Sequence, residues 1–140
     1  MIEQRMTIIT LGVKDLSESV NFYEDKLGWE RMDWESDNIV FFKLNGIILS
    51  LFPEDELADD ASVSKKGNGF KKFSLAYNTK SEKEVDQIMG ELKSKGVKIL
   101  KKPEKVFWGG YSGYFADPDD NLWEVAYNPF LELDENGFPK

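Results

Sequence analysis

The order of strand-like and helix-like segments in this chain of 140 residues is written twice. Thr7-Ile-Ile-Thr-Leu-Gly-Val13 reads as a strand, Asp15 opens an amphipathic helix that runs to Leu27, and Gly28 stops it. Three strand-like runs follow as far as Phe52. The pattern then returns, with Lys72-Phe-Ser-Leu-Ala-Tyr77 as strand, a helix from Ser81 to near Lys95, Gly96 as its stop, and further strand-like runs closing at Tyr127. A repeat that long in so short a chain restricts the fold more than any single residue does. It predicts an α+β fold of two βαβββ modules, residues 6–53 and 70–128, joined by a linker at 54–69 and followed by a tail at 129–140, all in one domain spanning 1–140. Together the half-sheets would make a curved, eight-stranded mixed sheet. The hollow of that cup is the expected seat of a ligand.

Both helices carry the marks of short crossover elements. Leu16, Val20, Tyr23 and Leu27 fall on one stripe of the first, and Val85, Ile88, Met89 and Leu92 on one stripe of the second. Asp15 with Glu18, and Ser81 with Glu84, have the spacing of a capping box. Gly28 and Gly96 stand where a left-handed turn lets the chain reverse. Between the modules, the acidic run Glu54 to Asp60 and the basic Lys65-Lys66 that follows read as a solvated linker with one turn of helix. Phe130, Leu131, Leu133 and Phe138 would be wasted in solvent, so the tail is expected to pack on its own subunit or on a second copy in a homodimer.

Two zeros in the composition exclude whole chemistries. With no cysteine there are no disulfides or thiolate sites, and with no histidine the Ser-His, Cys-His and His-metal arrangements are all removed. A net charge of −8 argues against a nucleic-acid partner, whose backbone is gripped by clustered Lys and Arg. No apolar run approaches the roughly 20 residues of a membrane span. Residues 1–6 lack the basic start and apolar core of a secretory signal, so a cytoplasmic protein without membrane association is expected.

Side-chain alternation then sorts the strands into two faces. Ile9, Leu11, Val13, Leu49, Leu51, Phe73, Leu75, Tyr77, Trp123, Val125 and Tyr127 are assigned to the helix side. Ile8, Thr10, Ser50, Lys72, Ser74, Ala76, Leu122 and Glu124 are assigned to the other. That second face is mainly apolar with a few polar groups, the composition of a small-molecule pocket.

At this level of detail the chain resembles a family. The strand followed by Val13-Lys-Asp-Leu16, Ser19, Phe22-Tyr23 and Leu27-Gly28-Trp29, then Trp108-Gly109, Phe115-Ala-Asp-Pro-Asp119 and Asn121-Leu-Trp-Glu124, is similar to the vicinal oxygen chelate superfamily of glyoxalases, bleomycin-resistance proteins and extradiol dioxygenases. The resemblance implies that fold over nearly the whole chain. It also implies four metal-ligand positions, which fall at Ile8, near Ser50, near Lys72 and at Glu124. Only Glu124 matches the pattern, and one carboxylate does not hold a divalent ion tightly, so no metal or other cofactor is expected.

Glu124 is the central candidate, as a ligand contact or as a catalytic carboxylate. Lys72 is a candidate partner for it, the ammonium standing roughly where the family places a metal, with escape of the lysine to solvent as the alternative. Trp108-Gly-Gly-Tyr111 and Tyr114 read either as core packing or as a flat wall for a planar or cationic ligand. Asp117 to Asn121 is read as a hairpin turn rather than a calcium loop, because the central glycine is missing and Asn128 stands in place of the closing Glu. Lys101-Lys102-Pro103 is read as an exposed strand end. The expected function is metal-independent binding of a small organic molecule, cationic or planar, by Glu124, Ser50, Lys72, Trp108 and Tyr111. The alternatives are a glyoxalase-like lyase or isomerase using Glu124, with or without a divalent metal, and a structural domain whose pocket is filled by its own aromatics.

Overall fold

A computed structural model of the chain describes residues 1–4, 6–34 and 38–140. It contains a three-stranded and a four-stranded sheet, in two compact units spanning 1–69 and 70–140. Among the described residues no helix is long and apolar enough to cross a membrane.

In the first unit, β1 (Ile8–Val13) runs parallel to β3 (Ile48–Pro53), which pairs antiparallel with β2 (Val40–Lys43). Leu11, Val13, Leu49 and Leu51 are buried on one face, as alternation requires. Helix α1 (Leu16–Asn21) is capped by Asp15, whose carboxylate accepts from the Glu18 N–H at 3.0 Å. The single helix read from the sequence then changes winding, because Phe22–Lys26 forms a π-turn that ends with Leu27 N–H on the Phe22 carbonyl. Both members of the adjacent pair Phe22 and Tyr23 are buried there, in edge contact at 5.2 Å, and Tyr23 also meets Trp29 and Phe42. Gly28 follows at φ +72°, the left-handed turn its position predicts.

Seven strands are formed among the described residues where the sequence reading counts eight. After Gly28 the chain makes an isolated bridge from Arg31 to Phe42, and Met32 N–H adds a bond to the Phe41 carbonyl at 2.7 Å. Ring contacts of Trp29 with Phe42 and Trp34 with Phe41 hold this segment against β2 in place of a full ladder. The acidic stretch is helix α2 (Glu54–Asp60), longer than the single turn expected, with Ala58 buried and Leu57 against Gly12 of β1.

Among the described residues the second unit contains four strands and one helix. Strand β4 (Leu75–Thr79) runs parallel to β7 (Leu122–Tyr127), and β7 pairs antiparallel with β6 (Tyr111–Ala116). Beyond β6 lies β5 (Lys98–Lys105), at the sheet edge. Helix α3 (Glu82–Ser94) is capped by Ser81, which accepts from Glu84 N–H at 3.2 Å, while the Glu84 carboxylate reaches back to Lys80 N–H. Val85, Met89 and Leu92 are its buried stripe, and burial of each such side chain contributes about 1.5–3 kcal/mol.

Two expectations are corrected here. The strand begins at Leu75 rather than Lys72, because Lys72 holds a left-handed φ of 65° that interrupts extended pairing. Phe73 and Tyr77 are largely exposed instead of lying under the helix. Phe73 precedes the strand, and Tyr77 lies on β4, an edge strand, while α3 packs chiefly over β5, β6 and β7.

Candidate functional site

One row of side chains across the second sheet organises the site. Ala76 of β4, Glu124 of β7, Tyr114 of β6 and Lys101 of β5 are successive register partners. They share the sheet face away from α3, because Trp123 and Val125, the chain neighbours of Glu124, are buried on the helix side. Glu124 and Tyr114 are half-buried cross-strand neighbours on that face. Burial first, and then the negative charge of Glu124, hold the Tyr114 hydroxyl above the usual phenol range. Tyr114 therefore remains a neutral donor near neutral pH. The Glu124 carboxylate offers roughly four lone-pair sites to partners.

A pocket of about 350 Å³ lies over this row, lined by Lys101, Glu104, Lys105, Phe107, Trp108, Ser112, Tyr114 and Glu124 with Val106. Its two lysines have partners. Lys101 Nζ is 3.1 Å from Glu104 Oε1, and Lys105 Nζ is 2.5 Å from Glu82 Oε1. Phe107 and Trp108 project from the β5–β6 loop, and Gly110 supports that arrangement, since a Cβ there would lie inside the Trp108 indole. The lack of a side chain is what lets the ring cover the backbone. Gly113 serves a different purpose on the helix face, where Met89 and the backbone of Lys101 and Pro103 leave no room for a Cβ.

Of the residues singled out from sequence, Glu124 and Trp108 meet at this pocket. Tyr111 does not. Alternation along β6 turns it toward α3, where its hydroxyl donates to Asp86 Oδ1 at 2.7 Å. Lys72 is exposed and precedes β4, so the strand-neighbour relation expected to bring it to Glu124 is absent, and Ala76 occupies the paired position. Ser50 belongs to the first unit, fully buried, with its Oγ 2.6 Å from Thr10 Oγ1. Lys101-Lys102-Pro103 is not a strand end either. It lies inside β5 between register shifts on both sides of Lys101, because proline cannot donate to a ladder and is tolerated at an edge-strand bulge. Those shifts bring Lys101, Glu104 and Lys105 to the pocket together. A proline within a strand-like run was the available signal for this re-aiming.

The donor set does not fit the divalent metal that the fold family implies. Ile8 is hydrocarbon, the Ser50 hydroxyl is engaged with Thr10, Lys72 is cationic, and Glu124 alone offers an anionic oxygen. Among the described residues no group of three or more Asp, Glu, His or Cys side chains is gathered to hold an ion. The Asp117 loop, for its part, consumes its own acceptors. Asp117 takes bonds from Asp119 N–H, Asn121 N–H and the Asn121 amide, and Lys71 braces the turn through Asp119 and Asn121.

A helix-backed sheet whose first strand runs parallel to its last, with a pocket on the opposite face, defines an α+β fold. The sequence profile of the Glyoxalase/Bleomycin resistance protein/Dioxygenase superfamily matches residues 5–125, and the chain belongs to that superfamily. The uncharacterized protein YraH of Bacillus subtilis (strain 168) is 31% identical over 123 residues, 84% of this chain and 93% of that protein. The metallothiol transferase FosB of Staphylococcus saprophyticus is 29% identical over 122 residues, 87% of this chain and 76% of that one. A solved structure of a glyoxalase-related enzyme from Fulvimarina pelagi matches with a TM-score of 0.85 and 32% sequence identity, covering 98% of this chain and 97% of that one.

Proposed function

We propose that this protein binds a small organic molecule, planar and cationic, in the pocket over Glu124, without a metal ion. The observation that carries this reading is the charge accounting of the pocket. Lys101 and Lys105 are each paired with a neighbouring carboxylate, whereas Glu124 is met by a neutral phenol and keeps acceptor capacity. Phe107, Trp108 and Tyr114 beside it supply aromatic faces that attract a cation electrostatically. Binding by shape, cation–π attraction and a charge-assisted hydrogen bond needs no metal. A cytoplasmic homodimer accords with the same reading, and the exposed Phe130 and Phe138 of the tail favour self-association.

The test is calorimetric titration with acriflavine, a planar aromatic cation, against a neutral planar compound of similar size. Saturable binding of the cation, unchanged after exhaustive EDTA treatment and weakened at least tenfold by Glu124→Gln, is the expected result. A stoichiometric divalent metal in the purified protein would overturn metal independence. Absence of binding to any planar cation would overturn the ligand class.

A second reading is metal-free acid–base catalysis, favoured by the register pairing of Tyr114 with Glu124 and by the likeness to a glyoxalase-related enzyme. Glu124 would accept a proton from a carbon acid and Tyr114 would hold the carboxylate in position. Exchange of substrate C–H for deuterium in D2O, abolished by Glu124→Gln, separates catalysis from simple binding.

A further inference from the structure

Both stems of the loop that carries Phe107 and Trp108 are fastened to the same helix. Lys105 and Tyr111 are cross-strand partners at the ends of β5 and β6, and the loop of residues 106–110 departs from that pair. Glu82 and Asp86 lie four residues apart at the start of α3, a spacing that sets two side chains on one helix face. Lys105 Nζ donates to Glu82 Oε1 at 2.5 Å, and Tyr111 OH donates to Asp86 Oδ1 at 2.7 Å. A register pair of the hairpin is thus matched to an i,i+4 pair of the helix.

We propose that Glu82 and Asp86 are positioning residues for the pocket, holding the β5–β6 loop so that its aromatic side chains form a fixed wall. The assignment of a ligand to that wall rests on the proposed function; the clamp itself does not. Helix α3 is a suitable anchor because Val85, Met89 and Leu92 seat it in the core. The loop has little internal bracing, with Gly109 N–H on the Val106 carbonyl and Val106 N–H on the Gly110 carbonyl, each at 3.0 Å. Gly109 takes φ +92°, closed to most side chains, and the Phe130 ring lies against it. The two fastenings differ in kind. Lys105 and Glu82 form an exposed ion pair that salt screens, and the exposed phenol-to-carboxylate bond of Tyr111 and Asp86 is charge-assisted. This also gives Tyr111 a task that its sequence neighbourhood conceals: it acts on the pocket from the opposite face of the sheet.

The experiment uses the full chain labelled with 5-fluorotryptophan, whose four indoles are resolved by fluorine NMR, together with amide hydrogen exchange. Tyr111→Phe and Asp86→Ala should shift or broaden the Trp108 resonance and speed exchange of the Val106 and Gly109 amides about tenfold, while the buried Trp123 resonance and the α3 amides stay unchanged. Asp86→Asn, which keeps an acceptor oxygen, should restore most of the native behaviour. Acriflavine affinity should fall several-fold in Asp86→Ala and recover in Asp86→Asn. If Trp108 and the loop amides are indifferent to both Tyr111→Phe and Asp86→Ala, the clamp is overturned. If the loop responds as described but the native protein binds no acriflavine, the clamp stands and the ligand class alone is wrong.

Discussion

Tyr114 stands in register with Glu124 on the adjacent strand, on the sheet face opposite α3, and the negative charge of Glu124 helps hold its hydroxyl above the usual phenol range. The phenol is raised by its burial and by the carboxylate beside it, so removing the charge lowers it without returning it fully to the ordinary range. Glu124→Gln should therefore move one tyrosine titration to lower pH, read by absorbance at the phenolate band. An unchanged titration curve would mean the two groups do not interact in solution.

Tyr111 is shifted further, to about 12, first by its hydrogen bond to Asp86 and then by burial and the charge of Asp86. The folded value lies above that of an unfolded tyrosine, about 10. The associated stability is complete below that unfolded value and disappears as pH rises through the folded one. Because the group lies near the surface, its contribution is about 1 kcal/mol or less. Thermal unfolding of Tyr111→Phe should fall below the native protein at pH 8, and the gap should close above pH 12. A gap that persists there would assign the loss to packing instead.

Two glycines on β6 and its approach should respond differently to alanine. At Gly113 the added methyl meets the Lys101 carbonyl and Pro103 nitrogen, backbone atoms of a paired strand, and should cost about 1–3 kcal/mol in urea denaturation. At Gly110 it meets the side chain of Trp108, which can swing outward. Stability should change by about 0.5 kcal/mol or less, while Trp108 moves and acriflavine affinity drops. Equal stability losses at the two positions would contradict this account.

In the first unit Arg31 donates two hydrogen bonds to Glu24, at 3.1 and 2.5 Å, and holds that carboxyl below its usual range. A depressed carboxyl contributes stability above its unfolded pKa and loses it as pH falls through the folded value. The pair is partly exposed, so a double-mutant cycle with Glu24→Gln and Arg31→Gln should give a coupling of about 0.5–1 kcal/mol at pH 7. Coupling that survives full protonation of Glu24 would point to packing by the arginine stem.

Much of this architecture was legible in the amino-acid order because it rests on local rules. The caps at Asp15 and Ser81, the reversals at Gly28 and Gly96, the buried stripe of α3 and the turn at Asp117–Asn121 each depend on residues within one or two helical turns. The orientation of Glu124 followed from alternation alone. What failed was any inference that needed to know which strand lies at an edge. Phe73 and Tyr77 were assigned to the helix side by parity, yet Phe73 falls before the strand and Tyr77 on its edge member, and both are exposed.

The site divides along the same line. Residue types by themselves determined that only one of the four family ligand positions carries an anionic oxygen, and that histidine and cysteine chemistry is absent. Tertiary structure decided the rest: the bulged register that brings Lys101, Glu104 and Lys105 to the pocket, the replacement of Lys72 by Ala76 beside Glu124, and the turning of Tyr111 to α3. The reason is physical. Capping and alternation are set by covalent spacing, whereas strand register and bulges are set by competition among backbone hydrogen bonds from segments distant in the chain.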